Sequence, residues 1–98
     1  MTNASEFNLF IDDDEGYLRW IEVNPEGFVV NSYKKPNPSY LVLHRATCAH
    51  ICSEANTNWT TTDYLKVCSP SVSALASWAE KEVGGSLEPC QVCKPDLT

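Results

Sequence analysis

Cys90-Gln91-Val92-Cys93, a CxxC set between Pro89 and Pro95, constrains this chain more than any other feature. Two thiols at that spacing let one tight turn present both sulfurs to a single tetrahedral ion. Potential partners lie far upstream. His44-Arg45-Ala46-Thr47-Cys48 offers an imidazole and a thiol with three residues between them, and Cys48-Ala49-His50-Ile51-Cys52 offers a competing pair of thiols at the same spacing. Either pair, added to Cys90 and Cys93, completes four soft ligands: three cysteines with one histidine, or four cysteines. That donor set points to zinc.

Other chemistries for these residues need a context that the sequence does not supply. A redox CxxC opens a helix that follows a strand, where the helix dipole lowers a thiol pKa. This one follows a helix and Gly84-Gly85 and runs into a proline. Nothing around the histidines supports a catalytic cysteine–histidine pair, and incidental buried cysteines are the plain alternative. A disulfide framework fits an odd number of cysteines poorly, and the chain has five. Met1 to Glu6 shows no basic n-region or apolar h-region, so the expected compartment is the cytoplasm, where thiols stay reduced. No apolar run approaches the eighteen or so residues of a membrane span. At 98 residues the chain is read as one small domain, residues 1–98, with a modest core for which a metal staple matters.

The charge is unevenly spread. Residues 1–26 hold seven acids (Glu6, Asp12, Asp13, Asp14, Glu15, Glu22, Glu26) against Arg19, which accounts for the whole formal charge of −6. Residues 27–98 are balanced, with six acids and six bases. An acidic chain is repelled by nucleic acid at long range, which disfavours nonspecific coating of DNA. A local basic face could still form from Lys34, Lys35, Arg45, Lys66 and Lys94.

Hydrophobic patterning gives the elements. Residues 1–11, with Phe7, Leu9, Phe10 and Ile11 in a polar context, read as a strand or a docked arm. Asp12 to Asp14 can cap a helix that Tyr17, Leu18 and Ile21 carry to about Val23, where Asn24-Pro25 stops it. Strands are expected at 27–33, 40–44 and 63–68, with a loop over 49–62. A final helix is capped by Ser69, takes Pro70 in its first turn and ends at Gly84-Gly85, with Val72, Leu75, Ala76, Ala79 and Val83 in one stripe. The expected fold class is α+β: a small antiparallel sheet of three to four strands with an N-terminal and a C-terminal helix, stapled by one zinc.

At these residues the chain resembles a known family. Leu43-His44-Arg45-Ala46-Thr47-Cys48, followed by a strand, a helix, glycines and then Pro89-Cys90-Gln91-Val92-Cys93-Lys94-Pro95, is similar to the Ada-type metal-binding domain. The likeness covers about residues 40–95, so residues 1–26 form an acidic N-terminal segment ahead of an Ada-like body at 27–98. The family has a ligand, an Arg, two residues and a Cys, then a strand, a short helix and Pro-Cys-x-x-Cys. The resemblance maps the metal ligands onto His44, Cys48, Cys90 and Cys93, and it places Cys68 at an apolar strand position. It implies a role beside DNA-repair or nuclease proteins, with nucleic acid or such a protein as partner.

The chain departs from the family pattern in a longer loop after Cys48 and in its first ligand. In the repair protein of this family, a zinc-bound thiolate at the first position accepts a methyl group from a phosphotriester. Imidazole at position 44 cannot. It also lowers the negative charge of the site from −2 to −1, weakening the remaining sulfurs as nucleophiles. Only Cys48 and Cys52 acting as the pair would restore that chemistry. The expectation is therefore a structural zinc in a non-enzymatic module, with no small-molecule substrate evident and an acidic protein-interaction adaptor as the rival. Candidate contacts to nucleic acid or a partner are Arg45, Lys34, Lys35 and Trp59, the last as a stacking platform in a polar loop. The Asp12–Asp14 triad reads as a helix cap rather than a cation site.

Overall fold

Strand β1 (Asn8–Phe10) leads into helix α1 (Asp14–Val23), and β2 (Phe28–Tyr33), β3 (Leu41–Arg45) and β4 (Tyr64–Ser69) follow. Helix α2 (Val72–Trp78) continues as a π-helical turn (Ala79–Val83) before the short β5 (Glu88–Pro89). The structure, a computed structural model, describes residues 7–48, 51 and 59–95. Among them no helix is long and apolar enough to cross a membrane.

All five strands join one sheet in the order β1-β4-β2-β3-β5. The expected sheet of three to four antiparallel strands is corrected at one edge, where a fifth strand is added. β1 pairs antiparallel with β4, while β5 pairs parallel with β3. The parallel direction follows from the crossover: β3 and β4 both run antiparallel to β2, and α2 returns the chain to the far edge pointing the same way. A strand of two residues such as β5 is too short for alternation to reveal it.

Because successive side chains point to opposite faces, the sheet has two cores. Val30, Leu43, Leu65 and Val67 lie beneath Leu75, Trp78 and Ala79 of the α2 layer. Val29 and Cys68 lie on the other face with Tyr17 and Ile21 of α1, beside Cys48 and Cys90. His44 pairs with Val29 and so shares that second face.

The acidic triad is consumed in building this second layer. Asp13 caps α1 by accepting from the Gly16 N–H at 2.9 Å. Asp14 accepts from the backbone N–H of Trp59 (3.0 Å), the backbone N–H of Thr60 (2.6 Å) and the Thr60 hydroxyl (2.7 Å). Asp12 pairs with the Lys34 ammonium at 2.7 Å. The segment from Thr60 is thereby tied to the start of α1.

The cap of α2 is Ser71, not Ser69: its hydroxyl accepts from the Ala74 N–H at 3.3 Å. Ser69 is still in register with Phe28 as the last residue of β4, so the helix starts two residues later. Its C-terminal end falls where the sequence puts it. Gly84 takes the left-handed conformation (φ 80°), and the N–H groups of Gly84 and Gly85 both reach the Ala79 carbonyl, at 2.9 and 3.1 Å. Gly85 packs against Pro38 so closely that a Cβ would sit 2.8 Å from the Pro38 Cα.

One cation is buried in the α1 layer. Lys66 is 3% exposed, and its ammonium donates to Asn31 Oδ1 at 2.7 Å and to the Trp59 carbonyl at 2.8 Å. Burial pulls its pKa down to about 8, against smaller opposing effects of Cys68 and Asp14. Below pH 8 the amine is charged in both folded and unfolded chains, and the folded state bears the full desolvation cost. Between pH 8 and 10.5 the unfolded chain binds more protons, so the Lys66 contribution to stability rises with pH. Relative to Lys66→Met, the wild type should gain up to about 3 kcal/mol across that window, measured by urea unfolding at stepped pH. A difference that stays flat with pH would contradict the buried ammonium.

Candidate metal centre

Two separate pieces of backbone bring the four side chains together. β3 ends at Arg45, and the turn after it is closed by the Cys48 N–H donating to the Arg45 carbonyl at 2.9 Å. β5 lies in register with β3, Val42 opposite Glu88 and Leu43 opposite Pro89, and the Cys90 N–H extends the ladder to the Leu43 carbonyl at 2.8 Å. One step further along that parallel pair sets Cys90 beside His44. The chain then turns sharply through the CxxC: the Lys94 N–H returns to the Cys90 carbonyl at 2.9 Å, with Lys94 at φ 45°.

The ligand atoms of His44, Cys48, Cys90 and Cys93 all lie within 4.8 Å of one another. The sulfurs of Cys48 and Cys90 are 3.9 Å apart. A tetrahedral ion with metal–sulfur bonds of about 2.3 Å separates its sulfur ligands by about 3.8 Å, close to the Cys48–Cys90 separation. His44, Cys48 and Cys90 are buried and Cys93 is half-buried. These four residues could hold a metal ion, and no other cluster of three or more such ligands occurs among the described residues.

Backbone N–H groups point at two of the sulfurs. The Arg45 N–H donates to Cys93 Sγ at 3.2 Å, and the Val92 N–H donates to Cys90 Sγ at 3.4 Å. Burial works against ionisation of Cys90. The backbone N–H groups of Cys93 and Val92, with the Cys93 and Cys48 thiols, outweigh it and bring the pKa to about 7. Cys68 is the contrast. It is fully buried on β4 and burial pushes its thiol far up, which leaves it a neutral core residue.

The other residues singled out in the sequence are mostly engaged inside the molecule. Arg45 turns back onto the chain: its Nε donates to the Cys93 carbonyl at 3.1 Å and its Nη2 to the Lys94 carbonyl at 3.4 Å, which fastens the CxxC turn to the end of β3. Lys34 is paired with Asp12. Lys35 is exposed. Trp59 is 7% exposed and packs against Tyr17 with ring centroids 6.4 Å apart, so it belongs to the core and offers no stacking platform. His50 and Cys52 lie outside the described residues.

Tyr17 was not legible as part of the site. It is fully buried, and its hydroxyl donates to the Ile51 carbonyl at 2.6 Å, linking α1 to the segment just beyond Cys48. Its helical spacing marked it as core, but nothing in the sequence named the carbonyl it would reach.

No family model, curated protein or solved structure matches this chain.

Proposed function

We propose that the chain is a non-enzymatic interaction module held together by one structural zinc on His44, Cys48, Cys90 and Cys93. The observation that carries this reading is the convergence of three thiols and one imidazole, from the middle and the C-terminal part of the chain, within 4.8 Å of one another. Zinc is the ion that such a soft donor set selects, and four protein ligands leave no open position for a substrate. The order of ligands and elements resembles that of the Ada-type domain, with histidine in place of the reactive thiolate. Zinc-thiolate methyl transfer therefore gives way to a structural role.

The partner is a protein rather than nucleic acid. Arg45 and Lys34 are committed to contacts within the chain and Trp59 is buried, which leaves Lys35 alone among the four candidate contacts. The chain carries a formal charge of −6, which repels a phosphate backbone. The class of partner, a nuclease or repair protein, rests on the family resemblance. Fluorescence anisotropy with labelled single- and double-stranded oligonucleotides tests the choice. The expected result is no binding tighter than about 100 μM at 50 mM salt. Binding that weakens steeply with salt and depends on Lys34, Lys35 and Arg45 would overturn it in favour of nucleic acid.

A further inference from the structure

A groove of about 430 Å³ opens directly beside the metal centre. Asn31, Val42 and His44 lie along β2 and β3 on one side of it, and Tyr40 and the Glu88–Val92 segment also line it. We infer that this groove docks a partner's peptide segment through a lysine or arginine side chain, an inference that rests on the zinc-stapled module proposed above.

Charge selects the occupant. Among the described lining residues Glu88 is the acid, and none is a lysine or arginine. Lys66 is the near cation, but its ammonium is held by Asn31 Oδ1 and the Trp59 carbonyl and does not line the groove. A divalent ion on three thiolates and an imidazole leaves the adjoining centre at −1, and the chain as a whole adds a field of the same sign. An anion entering here is opposed by Glu88 and by the centre, whereas a cation gains from both.

The lining also suits a long cationic side chain rather than a small inorganic ion. Val42, Pro89 and Val92, the last 63% exposed, offer apolar surface to an aliphatic stem. Tyr40 also lines the groove and can receive a cation on its ring. It is fixed there from two sides: its hydroxyl accepts from Asn31 Nδ2 at 3.0 Å, and its ring lies 4.8 Å from that of Tyr33, which stacks in turn on Tyr64 at 5.3 Å. Two metal ligands, His44 and Cys90, form part of the lining, so loading the metal fixes the groove's shape.

The test is to pan a random dodecapeptide display library against the zinc-loaded full chain, then measure the selected peptides by calorimetry. Wild type is compared with Glu88→Arg in the groove and with Glu82→Arg, an equal charge reversal on the exposed π-helical turn away from it. The expected result is selection of sequences bearing lysine or arginine, at least about tenfold weaker binding to Glu88→Arg, and less than about twofold change for Glu82→Arg. Tyr40→Ala should weaken the same peptides. No enrichment, enrichment without basic residues, or equal losses in both charge variants would overturn the inference. So would competition of the peptides by a single-stranded oligonucleotide that itself binds at Glu88. Zinc content is read on the same preparations by native mass spectrometry. Full zinc without peptide binding defeats the groove alone, whereas a chain that never takes up zinc defeats the module reading beneath it.

Discussion

Stripping the metal with a chelator is expected to abolish the cooperative unfolding transition of this chain. Cys48 and Cys90 are members of the core that joins α1 to the sheet, so the site is part of that core and not an appendage to it. Structural zinc contributes about 10–16 kcal/mol of apparent binding free energy in small zinc domains, comparable with the roughly 5–15 kcal/mol total stability of an ordinary domain. Without the ion, buried thiols and an imidazole lose the charge that draws them together, and the CxxC turn rests on hydrogen bonds such as those from Arg45 and Lys94 and on the short β5 ladder. Near-UV circular dichroism and calorimetry should show lost side-chain order and a lost transition, and Cys90→Ser should reproduce both. Cys68→Ser, which alters a buried thiol outside the cluster, should retain the metal-dependent transition. An apo protein whose Tm falls by less than about 5 °C would mean that the four side chains are ordinary core residues.

The second large effect is at Tyr17. The residue is 0% exposed, its ring lies 6.2 Å from Phe10 and 6.4 Å from Trp59, and its hydroxyl donates to the Ile51 carbonyl. Truncation to alanine opens a cavity in the α1 layer and strands that carbonyl. It also removes the ring beneath the Lys66 ammonium, 5.8 Å away. Together these should cost about 4 kcal/mol in urea unfolding of the metal-loaded protein, whereas Tyr17→Phe, which loses only the hydroxyl, should cost about 1–2 kcal/mol. A Tyr17→Ala protein within 1 kcal/mol of wild type would contradict the packing of α1 on the sheet.

How much of this was legible depends on whether the signal was local. The helix at Asp14–Val23, the three longer strands and the glycine stop at Gly84 could all be read from spacing and caps, because each is decided within a few residues. The start of α2 was misplaced by two residues because Ser69, a good cap by type, was still needed as a strand partner of Phe28. β5 was invisible: two residues carry no period, and their place is set by the crossover of α2 and the register with Leu43. At the candidate metal centre, residue type and spacing left two pairs open beside Cys90 and Cys93, His44 with Cys48 or Cys48 with Cys52, and the resemblance favoured the first, the set that the fold brings together. The residues around them were not so marked. Arg45 looked like a free cation and became the clasp of the CxxC turn, and Trp59 looked exposed in a polar loop until Asp14 drew that loop onto α1. Both depend on contacts more than forty residues apart in sequence, which no local pattern records.

Native mass spectrometry of the purified chain, run beside His44→Ala and Cys52→Ser, tests the central claim most directly. One zinc per wild-type chain, lost in His44→Ala and kept in Cys52→Ser, is the expected result. Zinc kept in His44→Ala but lost in Cys52→Ser would move the fourth ligand to a thiolate and reopen methyl transfer, and no metal in any of the three would contradict the zinc module altogether.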